Sequence, residues 1–138
     1  MDNALNMLGI CKKAGALETG EEPCGAVVRS GKAVLIMTAS DAGHGSQKRA
    51  ENFAEWCGAP LVTLPYTRDA LGDLLGKRVC AVLAITDAGL AASFMKKLSA
   101  LHAEYAETAA AVSEDAARQQ ARRSRAGSDG KKGRKVNA

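Results

Sequence analysis

Apolar residues near the start of the chain recur at helical spacing. Leu5, Leu8 and Cys11 share one face before Lys12, Lys13 and Gly15, a pattern that predicts a short helix stopped by glycine. Cys24, Val27 and Val28 repeat the arrangement before Gly31. Between them, Leu17-Glu18-Thr19 leaves room for a small strand, and TGEEPC has the grammar of a helix start. Thr19 is expected as N-cap, Glu21 and Glu22 in the first turn, and Pro23 where no amide hydrogen is needed. Val34 to Met37 is an apolar run of strand length ending at Ala39-Ser40-Asp41, followed by a helix face of Ala50, Phe53, Ala54 and Cys57. The unit recurs as a strand at Leu61–Leu64, a helix carrying Leu71, Leu74 and Leu75 to Gly76, and a strand from Val79 to Thr86.

Strands alternating with helices predict an α/β domain, because each crossover helix covers one face of the sheet. The last strand is uniformly apolar and is expected to lie centrally. From Asp87 onward, Leu90, Phe94, Leu98, Leu101 and Tyr105 place one apolar stripe on a long final helix with no stop before Gly127. The pattern therefore divides the chain into a domain over 1–105, a helical extension over 106–126 that projects from the body, and a disordered tail over 127–138.

Composition sharpens this picture at one point. The net charge of +4 conceals a split: residues 118–138 carry eight Lys/Arg and one Asp, hence +7, leaving eleven cations against fourteen acids, hence −3, in residues 1–117. The tail is either an arm attracted to a polyanion or a solvated end. Cys11, Cys24, Cys57 and Cys80 form no C-x-x-C pair and sit in apolar patterns, as buried thiols of a reducing compartment do. With no apolar run of about 20 residues and no secretion signal, the expected location is cytoplasmic, away from membranes.

Dinucleotide, Walker, zincin and nucleophile-elbow motifs are all missing, so the reading is a non-enzyme without cofactor or metal. His44, in a loop, and His102, on the long helix, are read as solvated side chains. Asp41 and Asp87 follow strand ends, where open α/β sheets bind ligands and where helix N-caps also stand.

The segments LGICKKAGALETGEE, SGKAVLIMTASDAG, KRAENFAEWCGAP, LG at 71 and 72, and GKRVCAVLAITDAGL, in this order and spacing over residues 5 to about 98, resemble the bacterial YlxQ-type branch of the kink-turn-binding ribosomal protein family, that of the L-seven-Ae and L-thirty-e proteins. The resemblance implies a three-layer α-β-α sandwich around a mixed four-stranded sheet. It also implies RNA binding without catalysis, to kink-turn or ribosomal RNA, with ribosome association. The family's RNA-docking regions, carried onto this chain, are Thr19, Gly20, Glu21 and Glu22; Ser40 and Asp41; and Thr86, Asp87, Ala88 and Gly89. Carboxylates there can accept from guanine N–H groups, and Gly20 permits close backbone approach. Lys13, Lys48 and Arg49 would supply phosphate contacts, although Lys48 and Arg49 also fit a solvated helix face.

The chain departs from the family's strongest kink-turn binders. Their Asn-Glu and following Lys align with Glu22, Pro23 and Ala26, and a basic position before the first strand is Ala16. Two missing cations remove about two phosphate contacts. A rival reading is a protein-interaction module on the same fold with a decayed RNA surface.

Overall fold

The computed structural model describes the backbone of residues 2–137 and the side chains of residues 2–122. Helix α1 (Asn3–Lys13) is capped by Asp2, whose carboxylate accepts from the Leu5 N–H at 2.7 Å. It leads to β1 (Leu17–Thr19), α2 (Glu21–Arg29), β2 (Leu35–Thr38), α3 (His44–Cys57), β3 (Leu61–Thr63), α4 (Arg68–Leu75), β4 (Val82–Ile85) and α5 (Ala88–Leu101). A 3-10 turn (Ala103–Tyr105) then joins α6 (Ala106–Asn137).

The four strands form one mixed sheet in the order β1-β4-β2-β3, with β4 antiparallel to both neighbours and β2 parallel to β3. All four residues of β4 are buried, as its unbroken apolar run requires of an inner strand covered on both faces. Alternation along the strands divides the core. Leu35, Met37, Leu83 and Ile85 pack with α1, α4 and α5, whereas Ile36, Val82 and Ala84 pack with α2 and α3. The result is the expected three-layer α-β-α sandwich. With few aromatics, small residues let the helices of one layer approach closely: a Cβ on Gly25 of α2 would lie 3.3 Å from the Phe53 ring of α3.

Register defines two rims. Thr19 pairs with Leu83, while Thr38 pairs with both Val82 and Thr63. The ends of β1, β2 and β3 and the start of β4 thus share one edge, called the Gly20 rim. The starts of the first three strands and the end of β4 form the opposite Asp87 rim.

Several expectations change. Thr19 is the buried last residue of β1, and Gly20 is the N-cap of α2. The strands are shorter than their apolar runs, so Val79, 52% exposed, belongs to the loop before β4. The long final helix is broken at His102, whose φ of −138° and ψ of 102° are extended, with Leu101 left 49% exposed. Past the break, the Tyr105 hydroxyl donates to the Thr63 carbonyl at 2.6 Å, and α6 folds back along α5. Ala109 and Val112 are buried there, so two small residues suffice to seat a helix that periodicity left projecting. Helix α6 runs to Asn137, and the tail expected over 127–138 has its side chains outside the described residues, like every side chain from 123 onward.

Candidate nucleic-acid interface

At the Gly20 rim the backbone is shaped before any side chain acts. The Gly20 N–H donates to the Val82 carbonyl at 2.9 Å, which extends the β1–β4 ladder by one step. The chain must then turn at once into α2, and does so at φ 96° and ψ 157°, a conformation essentially restricted to glycine. The Gly20 carbonyl accepts from the Cys24 N–H at 3.1 Å. Gly20 carries no capping side chain and Pro23 has no N–H, so the Glu21 and Glu22 amides open the helix without a side-chain cap. A helix start of this kind offers N–H groups to an anion. Glu21 and Glu22, both exposed, offer acceptors beside those donors.

The loop entering β4 lies on the same rim. Its seat is Gly72 of α4, where a Cβ would be 2.8 Å from the carbonyl oxygens of both Lys77 and Arg78. Gly76 ends α4 in the left-handed region, and the Lys77 N–H returns to the Gly72 carbonyl at 2.8 Å. Lys77, Arg78 and Val79 are thereby exposed next to the strand that Gly20 pairs with. The Lys12 ammonium donates to the Leu75 carbonyl, which tethers α1 to the end of α4. Burial pushes the Cys80 thiol up, and the neighbouring Lys77 and Lys12 ammonium groups partly oppose it. Glu18 and Glu21 lie near the Cys24 thiol, and Lys12 and Lys77 near the Cys80 thiol, while Gly20 pairs with Val82 two residues beyond Cys80. Sequence periodicity missed Lys77 and Arg78 because VCAVLAIT reads as one strand. The signal that could have found them is the Gly76-Lys77-Arg78 turn following a helix.

Ser40 and Asp41 also reach this rim through the end of β2. The Ser40 N–H donates to the Tyr66 carbonyl at 2.8 Å, and the exposed Asp41 carboxylate accepts from the Arg68 N–H at 2.8 Å, with Arg68 Nε at 3.7 Å. Asp41 thus holds the start of α4. Lys48 and Arg49 lie further along α3: Lys48 is 3.9 Å from Glu51, and Arg49 lies 6.0 Å above the Phe53 ring. Lys13 ends α1, before β1 begins.

Thr86, Asp87, Ala88 and Gly89 are not brought together with the others. They follow β4 at the Asp87 rim, the sheet's far end. Asp87 serves there as the N-cap of α5, accepting from the Leu90 N–H at 2.9 Å. The segment that β4 places beside Gly20 is the one before it.

Burial raises the Cys11 thiol to about 11 and the Cys24 thiol to about 12, so neither is a thiolate nucleophile at neutral pH. Among the described residues no group of three or more His, Cys, Asp or Glu could hold a metal ion, and no helix is long and apolar enough to cross a membrane.

No protein-family model matches the chain. Over 88 residues it is 31% identical to the RNA-binding protein YlxQ of Enterococcus faecium, a match covering 64% of this chain and 84% of that protein. A Bacillus halodurans protein of unknown function superposes with a TM-score of 0.65 and 27% identity, over 72% of this chain and 99% of the other. The 15.5kD RNA binding protein of Giardia lamblia shares the fold, with a TM-score of 0.54 and 24% identity over 70% and 85% of the two chains. The extent of the match to YlxQ and the shared architecture show that the chain belongs to the YlxQ-type branch of the L-seven-Ae and L-thirty-e-like protein family.

Proposed function

We propose that the chain is a non-catalytic, cytoplasmic RNA-binding protein that docks its Gly20 rim on structured, kink-turn-like RNA and works in association with the ribosome. One observation carries the reading: acceptor carboxylates, first-turn amides and a basic loop meet at the single turn that only glycine can make. Glu21 and Glu22 would accept from guanine N–H groups exposed where a helix is kinked, while Lys12, Lys77 and Arg78 hold the flanking phosphates. The names of YlxQ and of the Giardia protein agree with RNA as the partner. Asp41 acts indirectly, by fixing α4 and hence the loop seated on Gly72. Lys13, Lys48 and Arg49 are peripheral phosphate contacts, and Thr86 to Gly89 are left out of the interface.

The test is titration of a kink-turn RNA, and of the same RNA with its G·A pairs replaced by Watson–Crick pairs, at several salt concentrations. The expected result is discrimination of about tenfold or more, about 1.4 kcal/mol, persisting as salt weakens both. Equal affinity for the two RNAs removes the kink-turn reading. Absence of salt-sensitive RNA binding favours a protein-interaction module on this fold.

A further inference from the structure

We propose that the groove between α1 and α4 is a docking site for a partner protein, and that its occupant is an acidic amphipathic helix. The proposal does not rest on the RNA reading.

One stripe of α1 builds the groove. Asn6, Gly9, Ile10 and Lys13 stand at i, i+3, i+4 and i+7, and with Lys12, Leu74, Leu75 and Gly76 they line an open space of about 640 Å³. Its apolar wall is left to solvent: Ile10 is 53% exposed and Leu74 only partly buried. Gly9 makes the floor. Glycine is disfavoured inside a helix, and nothing in the fold demands it here. Its φ is not positive, and a Cβ would meet only Leu74 Cδ1, at an ordinary 3.7 Å. A side chain at 9 would fit the fold and fill the groove. The Lys12 ammonium, donating to the Leu75 carbonyl, ties α1 to the end of α4, so the groove is formed before anything enters it.

Charge and length point to the occupant. Among the described residues lining the groove, Lys12 and Lys13 are basic and none is acidic. Lys77 and Arg78 follow Gly76 directly, and Lys77 and Lys12 both lie near the Cys80 thiol. Asp69 and Asp73, the acids of α4, take no part in the lining. A complementary partner brings carboxylates together with apolar groups. From Asn6 to Lys13 the helix rises about 10 Å, the separation of residues seven apart on a second helix, so apolar anchors at i, i+3 and i+7 would run the length of the groove. A nucleic acid would match the cations and leave Ile10 and Leu74 uncovered, because the lining has no aromatic ring on which a base could stack.

The experiment titrates the full chain with a labelled helical peptide of about 15 residues carrying Leu at i, i+3 and i+7 and Glu and Ala elsewhere. Two control peptides replace its Glu by Lys or its Leu by Ala. Amide NMR spectra locate the contact, and fluorescence anisotropy gives the affinity. The acidic peptide should shift the Gly9, Ile10, Leu74 and Gly76 amides, and each control should bind at least about tenfold more weakly. Gly9→Leu, which plugs the floor, and Ile10→Ser, which removes the exposed wall, should each lose about tenfold in peptide affinity. The unfolding midpoint of Ile10→Ser should hardly move, since more than half of that residue already faces water, so this variant carries the test if Gly9→Leu disturbs the fold. No binding of the acidic peptide overturns the proposal, as do shifts confined to other residues. Equal binding of the Lys peptide removes the charge argument and the proposed occupant with it. A kinked RNA that shifts the Gly9 and Ile10 amides and is weakened by Ile10→Ser would give the groove to RNA and overturn the proposal as well.

Discussion

Gly72 lies so close to Arg78 that a Cβ on the glycine would stand 2.8 Å from the arginine's carbonyl oxygen. The contact is to backbone, which cannot rotate away, so any side chain at 72 must push the loop that enters β4. Gly72→Ala is therefore expected to destabilise the fold by about 1–3 kcal/mol through overpacking. It should also weaken RNA binding further, because Lys77 and Arg78 move with the loop. Urea unfolding and RNA titration of the same preparation check both effects; unchanged stability would mean that the loop has a second comfortable position.

Gly20 makes a separate prediction, because its difficulty is conformational and its surroundings are open. The nearest atom to a Cβ there would be Pro23 Cδ at an ordinary 3.7 Å, yet the φ of 96° disfavours any L side chain. Gly20→Ala should cost about 1–3 kcal/mol of stability. The larger Gly20→Val should lower RNA affinity in the population that remains folded, since its branched side chain stands between the helix start and the ligand. Circular dichroism melting separates the two effects. Native affinity in folded Gly20→Val would remove the turn from the interface.

The α/β layering and the central place of the apolar β4 were legible in periodicity, because burial on both faces writes itself as unbroken runs such as VLAI, whereas the strand order was not. The break at His102 was not. Leu101 and Tyr105 continue the helical spacing, and only the hydrogen bond from Tyr105 to Thr63, forty-two residues away in sequence, shows why the chain leaves the helix. The return of α6 was hidden for a related reason: Ala109 and Val112 are too small to announce a buried face. The candidate site was half legible. Residues after a strand are conspicuous when a capping Asp follows, so Asp87 drew attention. Lys77 and Arg78 precede β4, and only an antiparallel register shows that the start of a strand can adjoin the end of its neighbour.

Three buried groups predict a loss of stability in alkaline solution. Burial raises Cys24 from 9.0 to about 12 and Cys11 from 9.0 to about 11, and burial with the Asp2 hydrogen bond raises Tyr66. In the unfolded chain these groups ionise first, so between about pH 9 and pH 12 the unfolded state binds fewer protons than the folded one and stability falls as pH rises. Below pH 9 their contribution is fully present. Urea midpoints measured from neutral pH upward should decline across that window, and Cys24→Ala should shallow the decline whatever it does to absolute stability. A flat profile would mean that these groups titrate alike in both states.

The placement of the two β4 loops yields the sharpest test of the interface. Lys77 and Arg78 are exposed on the Gly20 rim, whereas Thr86 is half-buried at the opposite one, its N–H donating to the Ala16 carbonyl at 2.9 Å. If RNA docks on the Gly20 rim, Lys77→Ala and Arg78→Ala should each reduce the log–log salt slope of binding by about 0.7–0.9, one phosphate contact apiece. They should do so on kinked and unkinked RNA alike, because phosphate contacts position a ligand without reading its sequence. Both side chains are solvent-facing, so unfolding midpoints should hardly move. Thr86→Ala should leave affinity for a short kinked RNA unchanged, since the sheet's length separates it from the ligand. Titration of that RNA over a series of salt concentrations decides the matter: a lower slope for Thr86→Ala with intact slopes for Lys77→Ala and Arg78→Ala would turn the docked RNA to the Asp87 rim.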